Sequence, residues 1–325
     1  MKQTDFDPDP ASTNDGTERQ SVLGKIFVNI RTEQLRGIWK VLLFLSIWFA
    51  LYAPGWFSKP ESSGPRLDQS ATYWLELIQL AIFVPVLLGE TAISTRLLEH
   101  RTFKSIGVAF HKGWARDLSA GWLIGILMIA VVAGIHRVFR QGEFNFAGLN
   151  ANAALMAILQ AAVLYLLAAF FEELMMRGFT LQALIRDYST TIAVIVMSII
   201  FAAFHNANPD FSWLAFANTF LAGVWLSIAY LKTRSLWLCT GLHTGWNYAM
   251  GVIFGYPVSG LTKPTDSIWK AHIWGNHWIT GSDYGPEGGF VVTIVIALAA
   301  WWLWRTKWFQ PSEEMKQLTK EVFEK

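Results

Sequence analysis

The chain is short of charge. Asp, Glu, Lys and Arg make up 15% of its 325 residues, where a soluble domain carries roughly a quarter. Set beside 53% hydrophobic residues and 17 Trp, that shortfall argues against a soluble enzyme and for an integral membrane protein. Cysteine is nearly absent. The lone Cys239 has no intrachain partner, so there is no disulfide framework and the redox compartment is not readable from it. The N-terminus lacks a charged stretch leading into an apolar core and a small-residue cleavage site, so no signal peptide is expected. No Cys lies near Glu321 to Lys325, so no prenylation motif is expected on the chain itself. Two hydrolase signatures are missing too: His-Glu-x-x-His and Gly-x-Ser-x-Gly. A net charge of +2 says little about partners.

What is present is a series of apolar runs near the ~20 residues that cross a bilayer as a helix. Eight are expected: Gly37 to Phe57, Tyr73 to Ser94, Leu118 to Phe139, Ala151 to Phe171 (continuing as helix), Thr190 to His205, Phe211 to Leu231, Leu236 to Phe254 and Gly289 to Trp304. Helices are the default because an open sheet leaves backbone groups unpaired in lipid. The expected fold is therefore all-α, a polytopic membrane helix bundle. Residues 1–24 are polar and are expected to form a disordered tail. Residues 25–310 form the bundle, and 311–325 a short charged tail.

Orientation follows from Lys and Arg in the connections. One set is rich, with Lys25, Arg31, Arg36 and Lys40 around the start of the first run, Arg96, Arg101, Lys104, Lys112 and Arg116 after the second, Arg177 and Arg186 after the fourth, Lys232 and Arg234 after the sixth, and Arg305 and Lys307 after the eighth. The alternate set holds only Lys59, Arg66, Arg137, Arg140, Lys263 and Lys270. Both termini are expected in the cytoplasm. The connection from Tyr256 to Gly288 then lies outside, with Trp269, Trp274 and Trp278 suited to the interface.

Three polar clusters interrupt the later runs. Glu172, Glu173 and Arg177 follow the fourth. Glu173 and Arg177 stand at i, i+4 and can pair, while Glu172 is turned about 100° away. His205 closes Phe201-Ala202-Ala203-Phe204-His205. His243 and Asn247, again at i, i+4, lie inside the seventh run. Taken singly, each has a bland reading: a charged helix end reaching for water, an interfacial His, a pair that glues helices. Depth argues for more. The turn between the fourth and fifth runs lies near Arg186 to Ser189. Glu172 and His205 each stand on the order of 25 Å from it along a helix. His243 and Asn247 lie on the order of 10–20 Å into a run entered from the same side. A carboxylate, two imidazoles and an amide can thus converge. The carboxylate can act as general base on water, and a His and an Asn on a facing helix can donate to an oxyanion. The set suits peptide-bond hydrolysis. A zinc site is the other reading, with Glu172, His205 and His243 as three ligands and an open position for water.

Glu-Glu-x-x-x-Arg, Phe-x-x-x-His and His-x-x-x-Asn, in that order on successive runs, resemble the motifs of the CPBP family, the CAAX proteases and bacteriocin-processing proteins. The resemblance covers roughly Phe103 to Phe254, including Phe103-Lys104-Ser105-Ile106-Gly107. It implies a bundle of about eight helices and intramembrane endopeptidase activity on a membrane-associated protein or peptide, with the lipid bilayer as a further partner and no nucleic acid. Eukaryotic members remove the C-terminal tripeptide of prenylated CAAX proteins; many bacterial members are tied to bacteriocin maturation or self-immunity. By carry-over, Glu172 resembles the catalytic base and His205 helps to activate water. His243 and Asn247 resemble the oxyanion pair, with Glu173 and Arg177 in support. The family is named both for metalloproteases and for a metal-free glutamate mechanism, so a divalent metal such as zinc stays open. A non-catalytic immunity or peptide-binding protein of the same fold is the alternative function, and a transporter with a proton relay is a third.

Overall fold

The computed structural model describes residues 26–29, 33–57, 69–261 and 265–324, the side chains of 52–57 excepted. The expected disordered segment 1–24 lies outside them. A two-residue pair, β1 (Val28–Asn29) with β2 (Gln34–Leu35), precedes α1 (Gly37–Phe57) and α2 (Gln69–Leu98). Then come α3 (Trp114–Val138), strand β3 (Gly142–Phe146) and α4 (Ala151–Glu173). A π-helical turn, Leu174–Gly178, carries α4 without a break into α5 (Phe179–Asp187). The later helices are α6 (Thr190–Phe204), α7 (Trp213–Thr233) and α8 (Leu236–Tyr248), the last extended by a π-turn, Ala249–Phe254. After strand β4 (Trp269–Ile273) and the short α9 (His277–Thr280) comes α10 (Phe290–Arg305). Each expected apolar run is a helix. Among the described residues, the departures from all-α are the two small strand pairs and an isolated bridge between Val258 and Leu261.

Local chemistry sets the helix starts. Asn150, Ser189, Ser212 and Ser235 each accept a backbone N–H of the first turn of α4, α6, α7 and α8, which satisfies donors a helix end otherwise leaves unpaired. Among the described residues, four helical stretches, including the continuous Ala151–Asp187, are long and apolar enough to cross a membrane. Leu43, Ile47, Ile82, Leu123, Leu127 and Leu298 are about half exposed or more. A surface so apolar needs lipid as its solvent.

Contacts between connections define two faces. On one, Glu99 at the end of α2 bridges Lys40 of α1 (2.6 Å) and Arg186 of α5, and Asp187 accepts from Gly37. The α2–α3 connection joins that face through Leu236 N to Gly107 O (3.0 Å). The C-terminal helices α11 (Glu313–Leu318) and α12 (Lys320–Phe323) dock there too, with Met315 and Val322 buried and Arg234 beside Glu324 at 3.7 Å. The charged segment 311–324 is thus packed onto the bundle through its apolar residues. On the opposite face, β3 pairs antiparallel with β4, Phe144 facing Ala271. Asn208 of the α6–α7 connection donates to Ser259 O at 2.9 Å. His136, in the last turn of α3, is fully buried, its Nδ1 2.9 Å from the Tyr256 hydroxyl.

The helix pair that fixes the site is α3 against α8. Gly121 and Gly125 face Leu238 and Leu242, and Gly241 and Gly245 face Leu118 and Trp122. A Cβ at any of the four would collide with the partner's backbone. Two small-x-x-x-small stripes let the backbones meet, and they hold the helix bearing His243 and Asn247 in one position.

Candidate active site

Glu172 and Glu173 end α4, and the π-turn starts at the next residue. A second π-turn starts just beyond Asn247, after Tyr248. Such turns re-aim side chains and occur often at functional sites. The widened ladder at Leu174–Gly178 frees backbone carbonyls, and the Thr180 hydroxyl satisfies one of them, Met175 O, at 2.6 Å. Residues 179–185 are buried throughout. Glu172 is therefore well inside the bundle, because its helix runs on for about another 20 Å.

The two neighbouring carboxylates have different surroundings. Glu173 is fully buried; its Oε1 accepts from Arg177 Nη1 at 3.1 Å and from His243 Nδ1 at 2.9 Å. Arg177, 1% exposed, also donates to Gly223 O at 3.1 Å and lies 4.6 Å from the Phe201 ring centroid. A carboxylate can only accept, so His243 donates from Nδ1 and turns its Nε2 edge to the other side. There it stands 3.9 Å from Glu172 Oε2. Glu172 keeps a third of its side chain exposed. His205 caps the end of α6, with Nδ1 2.8 Å from the carbonyl of Phe201, which fixes its ring as well.

Glu172, His205, His243 and Asn247 line one cavity of about 160 Å³. The structure brings together the four residues singled out as catalytic in sequence, and places Glu173 and Arg177 directly behind them. Glu76 lines the same cavity and Gln79 does not. Buried polar atoms without a partner concentrate here: Glu172 Oε2, Glu173 Oε2, Arg177 Nε and the Tyr165 hydroxyl. Unpaired groups at this depth are costly and need a reason. Among the described residues no three His, Cys, Asp or Glu side chains are arranged to hold one ion. His243 is turned by Glu173 and His205 by its own helix.

Several lining residues were not singled out in sequence. Glu287 accepts from Trp246 Nε1 (3.0 Å), Ser259 N (2.8 Å) and Ser259 Oγ (2.7 Å). Asn218 donates to Glu287 O and Gly289 O at 2.8 and 3.0 Å. These contacts pin the connection after α8 to the helices of the site. They come from a segment with no motif, and pairing across such a distance in sequence leaves no local signal.

Residues 154–249 match the model of a family described as Rce1-like, Type II CAAX prenyl endopeptidase. The chain is also 25% identical over 154 residues to "Uncharacterized protein YyaK" of Bacillus subtilis (strain 168). That alignment covers 47% of this chain and 49% of the relative, so the chain spans about half the length of the curated relative it matches. No solved structure matches the chain. The matched segment runs from α4 through α8 and contains Glu172, Glu173, Arg177, His205, His243 and Asn247. Residues 154–249 of this membrane helix bundle are thus similar to the Rce1-like, Type II CAAX prenyl endopeptidase model, a likeness consistent with the CPBP family.

Proposed function

We propose that the chain is an intramembrane endopeptidase that hydrolyses a peptide bond of a membrane-associated protein or peptide with water activated by Glu172. The observation that carries this reading is the position of His243 between two adjacent carboxylates, 2.9 Å from Glu173 and 3.9 Å from Glu172. The second distance is too long for a direct hydrogen bond and suits one bridged by water. Glu172 takes a proton from that water, and the hydroxide oxygen bonds to the peptide carbonyl carbon. His205, fixed by Phe201, orients the water. A His243 ring protonated at both nitrogens gives one hydrogen bond to Glu173 and the other to the developing oxyanion. Asn247, one turn further along α8, adds a second donor. Collapse of the intermediate breaks the C–N bond, and the proton held by Glu172 passes to the leaving amine.

Glu173 and Arg177 support this chemistry by holding His243. Their pairing also limits the cost of a charge at this depth, since each finds its opposite within hydrogen-bond distance. No step is routed through a metal. The proposal includes a bacterial plasma membrane with both termini cytoplasmic; the bias of Lys and Arg supports that orientation. The test is a comparison of membrane-fraction proteomes from cells with the wild-type chain and with Glu172→Ala. Endopeptidase activity predicts new peptide termini in the wild type that vanish in the variant. Identical termini in both remove the reading. An immunity or peptide-binding role would instead survive the substitution.

A further inference from the structure

The cavity is sealed at one end and bounded by surface segments at the other. Toward the Lys/Arg-rich face it is backed by Glu173, Arg177, Gln182, Leu226, Tyr230 and Cys239, none more than 2% exposed. This layer is tied to the α2–α3 connection by Tyr230 Oη to Ile106 O (3.0 Å) and Gln182 Nε2 to Ser105 O (2.8 Å). Gly107 sits at φ +108° flush against Tyr230 and Ser235, with no room for a side chain. The connections on that face form a plug.

At the other end the lining comes from Asn208, Ser259, Leu261 and Glu287, in the connections before α7 and after α8. Leu261 is 50% exposed. The Asn208–Ser259 hydrogen bond and the β3–β4 pair put these connections on the same face as the α3–α4 connection. That face is the one poor in Lys and Arg, the non-cytoplasmic side by charge bias. Glu76, Glu172 and Glu287 line the cavity together with His205 and His243, and no Lys or Arg does among the described residues. A free C-terminal carboxylate would find no guanidinium or ammonium to pair with and an excess of acidic side chains, an arrangement that disfavours its binding.

We infer that the cavity is entered from the non-cytoplasmic face and takes an internal, neutral or cationic peptide segment presented there, not a carboxyl-terminal tripeptide in the cytoplasm. The substrate class rests on the endopeptidase reading, while the direction of entry stands on the geometry and the charge bias.

Two measurements separate these. Leu80→Cys and Ala222→Cys place a thiol in the cavity, Leu261→Cys one at its rim and Lys112→Cys one on the opposite face. The wild-type chain, whose Cys239 is fully buried, is the blank. A membrane-impermeant maleimide added to right-side-out vesicles is expected to label the Leu80, Ala222 and Leu261 variants and to spare the Lys112 variant. Inside-out vesicles should reverse the pattern. Labelling of the Leu80 and Ala222 variants only from the side that labels the Lys112 variant overturns the direction of entry. Sequencing of the Glu172-dependent termini tests the substrate class. Internal cuts in non-cytoplasmic segments support it; release of C-terminal tripeptides from cytoplasmic segments overturns it. If no terminus depends on Glu172, the endopeptidase reading and the substrate class fall together, and labelling still decides the direction of entry.

Discussion

His243 gives its Nδ1 proton to Glu173, 2.9 Å away, and only its Nε2 edge faces Glu172. One imidazole therefore has one carboxylate that orients it and another that shares its cavity. The two glutamates are adjacent in sequence and opposite in function on this arrangement.

Substitution should separate them. Glu172→Gln is expected to abolish cleavage and leave the thermal midpoint in detergent nearly unchanged, because the side chain is a third exposed. Glu173→Gln removes the partner of a guanidinium that is 1% exposed. Breaking a buried pair from one side costs roughly 3–5 kcal/mol. The expected outcome is a lower melting temperature as well as lost activity. Equal melting temperatures for the two variants would contradict the division of labour.

The α3–α8 contact carries a second prediction. Gly245→Val forces a branched side chain into the backbone of Trp122. The helices must part, and His243 and Asn247 move with α8. A displacement of about 1 Å at reacting groups costs on the order of 100-fold in rate. Gly134→Val, at a position with nothing within 4 Å, is the control and should keep its rate. Cleavage rates per folded molecule check both.

Glu99 is a structural carboxylate far from the cavity. It is 4% exposed and bridges Lys40 and Arg186. Glu99→Gln leaves two cations facing a neutral amide, with a loss of roughly 3–5 kcal/mol. The variant should melt earlier, while the rate measured on the folded fraction stays within about twofold of wild type, since none of the three residues lines the cavity.

Glu287 ties the connection after α8 to Trp246. Glu287→Ala leaves the Trp246 indole N–H without its acceptor, at a cost of about 1–3 kcal/mol for a buried donor. It also releases Ser259. Amide exchange in residues 256–289 is expected to quicken in the variant, with α4 and α8 protected as before. Unchanged exchange there would show that Glu287 does not hold the segment.

Much of the fold was legible because a bilayer imposes a simple rule. Runs near 20 apolar residues must be helices, and each expected run is one. The hairpin turn at Arg186 to Ser189 was legible from polarity, and the structure places it at Tyr188 and Ser189 between α5 and α6. The Glu173–Arg177 pair follows from i, i+4 spacing and is present at 3.1 Å. The Gly121/Gly125 and Gly241/Gly245 spacings mark packing surfaces, and only the structure shows that they face each other.

What spacing cannot supply is the partner across a helix interface. Nothing local to Glu173 announces His243, 70 residues on. Glu287 carries no motif, yet it reaches Trp246 one position before Asn247.

The sequence by itself determined that this is a membrane helix bundle, and that a carboxylate, two imidazoles and an amide come to similar depths. Helix rise and the thickness of hydrocarbon are enough for that. Tertiary structure alone decided which carboxylate holds His243, and that the cavity is plugged beneath Glu172 and bounded above by Asn208 and Glu287. Those outcomes depend on how helices rotate and pack against one another. That rotation is set by contacts such as the paired glycine stripes, summed over the whole bundle.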